Sequence, residues 1–190
     1  GLGTPGLSSR QPIADEALLF RCGLLVEHAR SASGLRSLLM DYFEVSVEIE
    51  QFVGRWHSID METQCCFSET GADSERLGLG TVVGDEIWDQ QSAVRIRLGP
   101  LTLEQYIEFL PDGAAHPPLR ALVRFYAGNE LDFEVQLVLN KDEAPPCSLG
   151  ADSPASPRLG WMTWARTASF PDRPYCSAMA HMAGHTGMEG

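Results

Sequence analysis

A pattern of one helix followed by one strand occurs twice in this sequence, and it constrains the fold more than any other feature. In the first copy, apolar residues at helical spacing precede apolar residues that alternate with polar ones, namely Leu35, Leu38, Leu39, Tyr42, Phe43, Val45, Val47 and Ile49. The second copy aligns with the first without a gap, through Leu119, Leu122, Val123, Tyr126, Leu131, Phe133, Val135 and Leu137. Two such units can share one sheet or form two related lobes. The alternative is that two unrelated helix and strand pairs align this well, because these periods recur widely.

Local signals predict the boundaries of the first copy. Ser33 is the candidate N-cap of its helix, because a serine oxygen can accept a hydrogen bond from a backbone amide of the first turn. The strand that follows is predicted to extend through "QFVGRW". An earlier helix is predicted from Pro12 to His28, with Asp15 and Glu16 in its first turn, where carboxylates interact favourably with the helix dipole.

The stretch "IWDQQSAVRIRLGPLTLEQY" between the copies predicts a further strand and a further helix. Arg95 and Arg97 alternate with apolar residues, so they share one face, which we predict to be the solvent-exposed face of a strand. Thr102 and Gln105 have the spacing of a capping box at the start of a helix that Pro111 ends.

These elements together predict an α+β fold of mixed type, with two helix-then-strand repeat units around a mostly antiparallel sheet or in two small related lobes. We divide the chain into an N-terminal linker and helix at 1–32, a first helix and strand unit with central strands at 33–110, and a second unit at 111–166. The remaining segment, 167–190, is predicted to be a flexible tail.

Charge and hydropathy exclude several classes of partner. The formal net charge of −12 argues against nucleic acid or an anionic lipid surface, because phosphate binding needs dense Lys and Arg. No apolar run approaches the length that spans a bilayer, and the N-terminus lacks the regions of a signal peptide. We therefore expect a cytoplasmic protein without direct membrane insertion. The first residue is Gly, which suggests a processed chain or a fragment.

Residue spacings give no support for catalysis. The five cysteines are odd in number and lack framework spacing, which favours free thiols in a reducing compartment. His57 with the adjacent Cys65 and Cys66 could contribute zinc ligands, but there is no CxxC pair and no second half-site. Phosphate-binding, nucleophile-elbow and dinucleotide templates are absent. The sequence therefore predicts no catalytic residues, no metal and no cofactor. A small metal-dependent or hydrolytic enzyme that uses His57, the cysteine pair or acidic side chains remains the alternative.

Candidate partner-interface residues lie near the ends of predicted strands and beside two irregular segments, Asp60–Gly80 and Asn140–Gly160. Aromatic and arginine side chains are enriched at interface centres, and the candidates are Trp56, His57, Phe67, Trp88, Arg95, Arg97, Trp161 and Trp164. We predict that the arginines and the acidic strand faces orient docking, while aromatic and apolar groups supply most of the affinity. The alternatives are that the tryptophans lie in a core and that the arginines are solvated or paired within the sheet.

Several uncommon strings, in a fixed order, resemble the C-terminal portion of the TssG family, also called ImpH or VasB. They are "DEALLFRCGLL", "SASGLRSLLMDYF", "VEIEQFVGRW", "GDEIWDQQSAVRIRLGPL", "LRALVRFYAGNELDFEVQLVL" and "RLGWMTW". The resemblance covers about Gly1 to Trp164. Three features depart from the family: its members are longer at the N-terminus, "SIDMETQCCFSETGADSE" has no match, and the tail after Trp164 differs from the usual ending.

The resemblance implies a structural role with no catalytic residues. Members of this family are baseplate components of the bacterial type VI secretion system, a contractile injection system. One copy joins two copies of TssF in a wedge complex, which also engages TssE and TssK trimers, and the wedges assemble around the spike hub. The implied location is the cytoplasm, at a baseplate docked on the inner-membrane complex, where sheath and tube assembly begins. Loops of the family reach TssK, so both irregular segments are candidates for that contact.

Overall fold

The computed structural model describes residues 11–26, 29–61, 64–65, 78, 83–145, 158 and 160–164, together with the backbone of 175–180. Within these residues the helices are α1 (Asp15–Phe20), α2 (Cys22–Val26), α3 (Ala32–Phe43), α4 (Leu103–Glu108) and α5 (His116–Ala127). The strands are β1 (Val47–Glu50), β2 (Arg55–Ser58), β3 (Glu86–Asp89), β4 (Ala93–Leu101), β5 (Asp132–Asn140) and β6 (Tyr175–Ala180), and a short 3-10 helix spans Lys141–Glu143. Backbone contacts divide the chain into a sheet unit, Gly1–Gln51 with Val94–Gly190, and a hairpin unit, Phe52–Ala93.

The sheet unit contains a four-stranded mixed sheet in the order β1, β4, β5, β6. β1 is antiparallel to β4, and β6 is antiparallel to β5. β4 and β5 run in the same direction, because Arg95 contacts Glu134 and, farther along both strands, Gly99 lies against Val138. α4 and α5 lie in the connection between these two strands, as a parallel crossover requires. The predicted α+β class is confirmed.

The two helix-then-strand copies correspond closely in the structure. α3 and α5 are each 12 residues long, and they pack against each other. Their buried residues fall at equivalent positions, Leu35, Leu38 and Leu39 in α3 and Leu119, Leu122 and Val123 in α5. β1 and β5 then belong to one sheet. Of the two arrangements that the sequence allows, the shared sheet is the one observed.

The N-cap of α3 is Ser31, so the prediction of Ser33 is wrong. The Ser31 Oγ accepts a hydrogen bond from the Gly34 amide at 3.1 Å. The Ser31 carbonyl oxygen also accepts a hydrogen bond from the Tyr126 hydroxyl at 3.1 Å, and this bond links the start of α3 to α5. Any side chain at Gly34 would collide with that hydroxyl. A local cap and a contact distant in sequence therefore meet at the start of α3.

Two predicted elements are interrupted. The strand expected through "QFVGRW" ends at Glu50, because Phe52 adopts a left-handed backbone with φ 61° that a strand cannot accommodate. The helix expected from Pro12 to His28 is two short helices on either side of Arg21, with residues 27–28 outside the described part. The Arg21 guanidinium donates to the carbonyl oxygen of Asp41 at 2.9 Å and lies 2.6 Å from its carboxylate, so it joins this region to α3.

The start of α4 follows the sequence prediction. Thr102 Oγ1 accepts a hydrogen bond from the Gln105 amide at 3.3 Å, and Gln105 Oε1 accepts one from the Thr102 amide at 3.1 Å. The predicted capping box is therefore confirmed. The helix ends at Glu108, before Pro111.

The last strand, β6, lies within the segment 167–190 that the sequence leads us to expect as a tail. Its backbone pairs with β5 along six residues, from Val135 opposite Ala180 to Asn140 opposite Tyr175. The division of the chain into four segments stays a prediction.

Candidate functional site

The hairpin unit presents two tryptophans on the same face of a two-stranded ribbon. β2 and β3 are antiparallel, and Trp56 lies directly opposite Trp88, with ring centroids 5.2 Å apart. Trp56 is 63% exposed and Trp88 is 47% exposed. We call these two residues the tryptophan pair. Side chains directly opposite in an antiparallel ribbon contact each other, which accounts for their proximity but not for their exposure to water.

The orientation of Trp88 depends on a glycine of the same unit. The indole ring of Trp88 lies against the backbone of Gly54, just before β2, and any side chain at Gly54 would collide with it. The ring therefore packs on bare backbone on one side. This contact holds Trp88 beside Trp56 before any partner binds.

Further exposed apolar side chains lie in the same unit: Phe52, Met61, Val83 and Ile87. The sequence analysis did not select them. A signal was present in the neighbours Ile87 and Trp88, because consecutive strand residues point to opposite faces and a two-stranded ribbon has no interior of its own. Large apolar residues on both faces therefore leave apolar surface exposed in this unit.

The face opposite the tryptophan pair brings His57, Asp89 and Ser92 together. His57 Nε2 lies 3.2 Å from the Ser92 Oγ, and the Asp89 carboxylate accepts a hydrogen bond from the Gln91 amide at 2.8 Å. Hydrogen bonds from the Ser92 side chain and the Gln91 amide lower the pKa of Asp89. In serine hydrolases the carboxylate orients the histidine, which in turn activates the serine. Here the carboxylate binds the serine and a turn amide, so the set stabilises the turn after β3.

The residues considered for a zinc site are only partly within the described structure. His57 is in β2 and Cys65 is a free thiol, whereas Cys66 and Phe67 lie outside the described residues. Among the residues that are described, no group of three or more His, Cys, Asp or Glu side chains has an arrangement that could hold a metal ion.

The strand face that carries Arg95 and Arg97 is only partly exposed, because the buried carboxylate of Glu134 lies beside Arg95. Arg95 bonds Glu50 at 3.0 Å and Glu134 at 3.1 Å, and Glu134 is only 5% exposed. Arg97 is more exposed and lies 3.5 Å from Glu48 across the strand pair. Both arginines therefore make ion pairs within the sheet, which was the alternative to a docking role.

Trp161 and Trp164 pack against the core of the sheet unit. The Tyr106 hydroxyl donates to the carbonyl oxygen of Trp161 at 2.6 Å, and the rings of Tyr106 and Trp164 meet edge to face with centroids 5.6 Å apart. Burial raises the pKa of Tyr106 to about 12, so its hydroxyl remains a proton donor at neutral pH. These two tryptophans thus differ from the exposed pair of the hairpin unit. An interface role for any of the predicted residues stays a prediction.

In the described part of the chain, no helix is both long enough and apolar enough to cross a bilayer.

Comparison with known proteins gives one family and two solved assemblies. The family model described as "Type VI secretion, TssG" matches residues 1–166. A chain from the cryo-electron microscopy structure of the TssK-TssF-TssG baseplate subcomplex of the type VI secretion system superposes with a TM-score of 0.69 and 22% identity, over 94% of this chain and 73% of that one. A chain of the type VI secretion baseplate complex superposes with a TM-score of 0.62 and 24% identity, over 94% of this chain and 49% of that one. No curated protein matches the sequence.

Proposed function

Because the chain belongs to the TssG family of the type VI secretion system, we propose that it is a structural subunit of the baseplate and acts by binding other subunits. The two similar folds both come from baseplate assemblies, and one of these assemblies contains TssK and TssF. TssF and TssK are therefore the first partners to test. We further propose that the chain joins two TssF copies in a wedge and that the wedge contacts TssE and the spike hub. The baseplate would lie in the cytoplasm at the inner-membrane complex and support sheath and tube assembly.

The observation that most strongly supports a binding role is the exposure of the tryptophan pair. Tryptophan is enriched among the few residues that dominate binding energy, and each buries about 150–250 Å² when covered. The two rings are already in contact in the free chain, at 5.2 Å between centroids. Preorganisation of this kind reduces the entropy lost on association. Trp56 and Trp88 would then form the centre of an interface.

We assign this surface to TssK. The connection between β2 and β3 includes the irregular segment Asp60–Gly80, which the family resemblance makes a candidate for reaching TssK, and Phe67 belongs to it. His57 supports the turn beside the surface through Ser92. Arg97 pairs with the exposed Glu48. These two charges would lie at the polar rim of a second contact with a partner, where charges affect the association rate more than the affinity.

A binding role without catalysis is consistent with the chemistry of the hairpin unit. The hydrogen bonds of Asp89 go to Ser92 and the Gln91 amide, whereas a catalytic carboxylate would bond the histidine. The set is also at the surface, where water weakens electrostatic stabilisation of a transition state.

The test is co-purification of the tagged chain with TssF and TssK from the same bacterium. The binding variant combines Trp56→Thr and Trp88→Thr, and the matched control is Phe125→Thr, which removes an exposed aromatic residue from the sheet unit. Truncation of a residue at the centre of an interface costs at least ~2 kcal/mol of binding free energy, which corresponds to about 30-fold weaker binding. We expect the double variant to lose TssK and keep TssF, and the control to keep both.

Two results would count against the proposal at different levels. Wild-type recovery of TssK by the double variant would show that the tryptophan pair is not its docking surface. Failure of the wild-type chain to recover either TssF or TssK would contradict the baseplate role itself. Replacement of residues 60–80 by a Gly-Ser linker tests the contribution of the loop independently of the tryptophan pair. We expect this variant, which keeps both tryptophans, to bind TssK more weakly than the wild type.

A further inference from the structure

The face of the hairpin unit that carries the tryptophan pair also carries a carboxylate, that of Glu86. Alternate residues of a strand share one face, so Glu86 lies on the same side of β3 as Trp88, roughly 7 Å away along the strand. Its partner in the register is Ser58 of β2, two residues after Trp56. Glu86 and Ser58 are both exposed. This face therefore presents two indole rings and one carboxylate to water.

The carboxylate of Glu86 is available to a partner. In the part of the chain that the structure describes, its oxygens make no ion pair and no hydrogen bond. Asp89 of the same strand differs, because its carboxylate is bonded to the turn that follows. Arg55 lies opposite Asp89 in the register and therefore on the other face of the ribbon. Among the described residues of the unit, none on the face of the tryptophan pair is basic.

The hairpin unit is acidic as a whole. Its 42 residues include eight Asp or Glu and two Arg, which give a formal net charge of −6. The unit thus carries half of the charge of −12 of the chain on less than a quarter of its length. Such a charge attracts basic surfaces and repels acidic ones, so charge complementarity favours a partner that presents a cation to this face.

A partner that covers the two rings also covers Glu86, because the three side chains are neighbours on one face. If that partner were wholly apolar, the carboxylate would leave water without a counter-charge, and burial of an unpaired charge is strongly unfavourable. A cation removes this penalty and is also attracted to the face of an indole ring. The rings of Trp56 and Trp88 are tilted at 59° and not stacked, so they do not cover each other's faces.

The combination of an indole ring and a carboxylate suits arginine better than lysine. The guanidinium is planar, so it can stack on an aromatic ring while the N–H groups at its edge donate to a carboxylate. It is also more weakly hydrated than the lysine ammonium, so it loses less when it leaves water. One arginine side chain can therefore satisfy the ring and the carboxylate together.

We propose that the tryptophan pair and Glu86 together bind one arginine side chain of TssK. The guanidinium stacks on an indole ring of the pair and donates to the Glu86 carboxylate, while the methylene groups of the arginine pack against the remaining apolar surface. This inference rests on the proposed function, because it takes TssK to be the partner of the tryptophan pair. It adds the chemical group that the pair recognises.

Removal of one charge tests the role of the carboxylate. Glu86→Gln keeps the size of the side chain and removes its charge, and the control Asp85→Asn removes the same charge from the exposed neighbouring residue. Isothermal titration calorimetry with TssK at physiological salt measures the dissociation constants. We expect Glu86→Gln to weaken binding about tenfold, because hydrogen bonds to a charged group are lost. Asp85→Asn should bind within about twofold of the wild type, because an exposed charge outside the contact contributes little.

Exchange of one ring tests the role of the aromatic face. Trp56→Phe keeps a π-face, whereas Trp56→Leu keeps an apolar side chain without one. We expect the phenylalanine variant to bind TssK about fivefold more tightly than the leucine variant, because only the former retains an attraction to the cation. The unfolding midpoints of both variants should equal that of the wild type, since Trp56 is exposed.

Chemical modification tests whether the bound group is an arginine. Phenylglyoxal reacts with the arginines of TssK, and mass spectrometry reads the extent of reaction at each one. We expect one arginine of TssK to react at least tenfold more slowly in the complex with the wild-type chain than in free TssK. A saturating concentration of Glu86→Gln should restore much of its reactivity, because the carboxylate that holds the guanidinium is absent.

Several results would overturn the arginine site and leave the proposed function intact, because TssK would still be bound. These are wild-type affinity of Glu86→Gln, equal weakening by Glu86→Gln and Asp85→Asn, equal affinity of Trp56→Phe and Trp56→Leu, and a complex in which no arginine of TssK is protected. Protection of a TssK lysine from acetylation in place of an arginine would also overturn it. Failure of the wild-type chain to bind TssK would contradict the TssK assignment itself, and the arginine site with it.

Discussion

The sheet unit has a buried apolar core, whereas the hairpin unit exposes both of its tryptophans. The sheet unit buries large side chains completely, including Leu38, Leu122 and Leu137, between two helices and a four-stranded sheet. The hairpin unit leaves Trp56 and Trp88 in water although their rings are in contact. A two-stranded ribbon cannot bury both faces, so its apolar surface is free to bind a partner. From this difference we expect substitutions of the buried leucines to lower stability more than substitutions of the tryptophan pair.

The largest expected effect contrasts one buried leucine with one exposed tryptophan. Leu122→Ala should lower the free energy of unfolding by about 2–5 kcal/mol, because it removes packed atoms and leaves a cavity. Trp56→Ala should change it by less than about 1 kcal/mol, because an exposed side chain loses little on truncation. Urea unfolding of both variants measures this contrast. Equal losses would break the distinction between the two units.

A smaller effect is expected from the charges of the sheet unit. Arg95→Ala leaves the buried carboxylate of Glu134 without its arginine, and hydrogen bonds to charged groups contribute about 1.5–3 kcal/mol. Arg97→Ala removes an exposed pair with Glu48, which contributes about 0–1 kcal/mol. Chemical unfolding at two salt concentrations tests the contrast. If the two variants were equally stable, the pairing of Arg95 with a buried group would not matter to folding.

The capping box of α4 gives a still smaller effect. Thr102→Ala removes the hydroxyl that accepts from the Gln105 amide, at a cost of about 1 kcal/mol. Thr102→Ser keeps an acceptor oxygen and serves as the control. Thermal unfolding should rank the alanine variant below serine and wild type, and TssK binding through the hairpin unit should be the same for all three. If TssK binding weakened in step with the loss of stability, the proposal that the two units act independently would be contradicted.

The smallest expected effect is the change of stability with pH. The two units differ in the pH range over which their stability changes. Burial, and then the charge of Arg120, lower the pKa of His116 below its ordinary 6.5, so the folded sheet unit disfavours the protonated ring. Its contribution to stability is complete above pH 6.5 and decreases as pH falls below that value. The lowered pKa of Asp89 in the hairpin unit acts differently, because its contribution is present above about 3.8 and is lost as pH falls through the folded pKa.

Unfolding between pH 7.5 and 5 should therefore show a small loss of stability that His116→Gln removes and Asp89→Asn does not. An unchanged pH dependence in His116→Gln would contradict the assignment of this effect to His116.

Local signals in the sequence were sufficient for α3, α4 and α5 of the sheet unit, but not for β6, which lies in the expected tail. The stripes of α3 and α5 and the capping box of Thr102 involve residues within a few positions of each other, so their periods and spacings are visible in the sequence. The N-cap of α3 was misplaced because Ser31 and Ser33 are both serines, and only the structure shows which hydroxyl accepts from the helix backbone. The ion pair of Arg95 with the buried Glu134 was not predicted, because Glu134 comes from β5, 39 residues along the chain.

The hairpin unit was harder to predict. β2 and β3 pair across a long connection, so no short turn motif in the sequence predicts their register. The sequence selected Trp56 and Trp88 as candidates but could not distinguish exposure from burial, because a tryptophan near a strand end is compatible with both. Trp161 and Trp164 had the same local appearance and pack against the core. The difference lies in the contacts of each ring, because Trp164 meets Tyr106 of α4, whereas Trp56 and Trp88 meet each other.

Hydroxyl-radical footprinting of the chain with and without TssK tests the division of labour most directly, because it reports the exposure of individual side chains. The account predicts that oxidation of Trp56 and Trp88 slows about tenfold when TssK binds, whereas Phe125 in the sheet unit is oxidised at the same rate. Oxidation of the tryptophan pair at the same rate in the free chain and in a confirmed TssK complex would contradict the account.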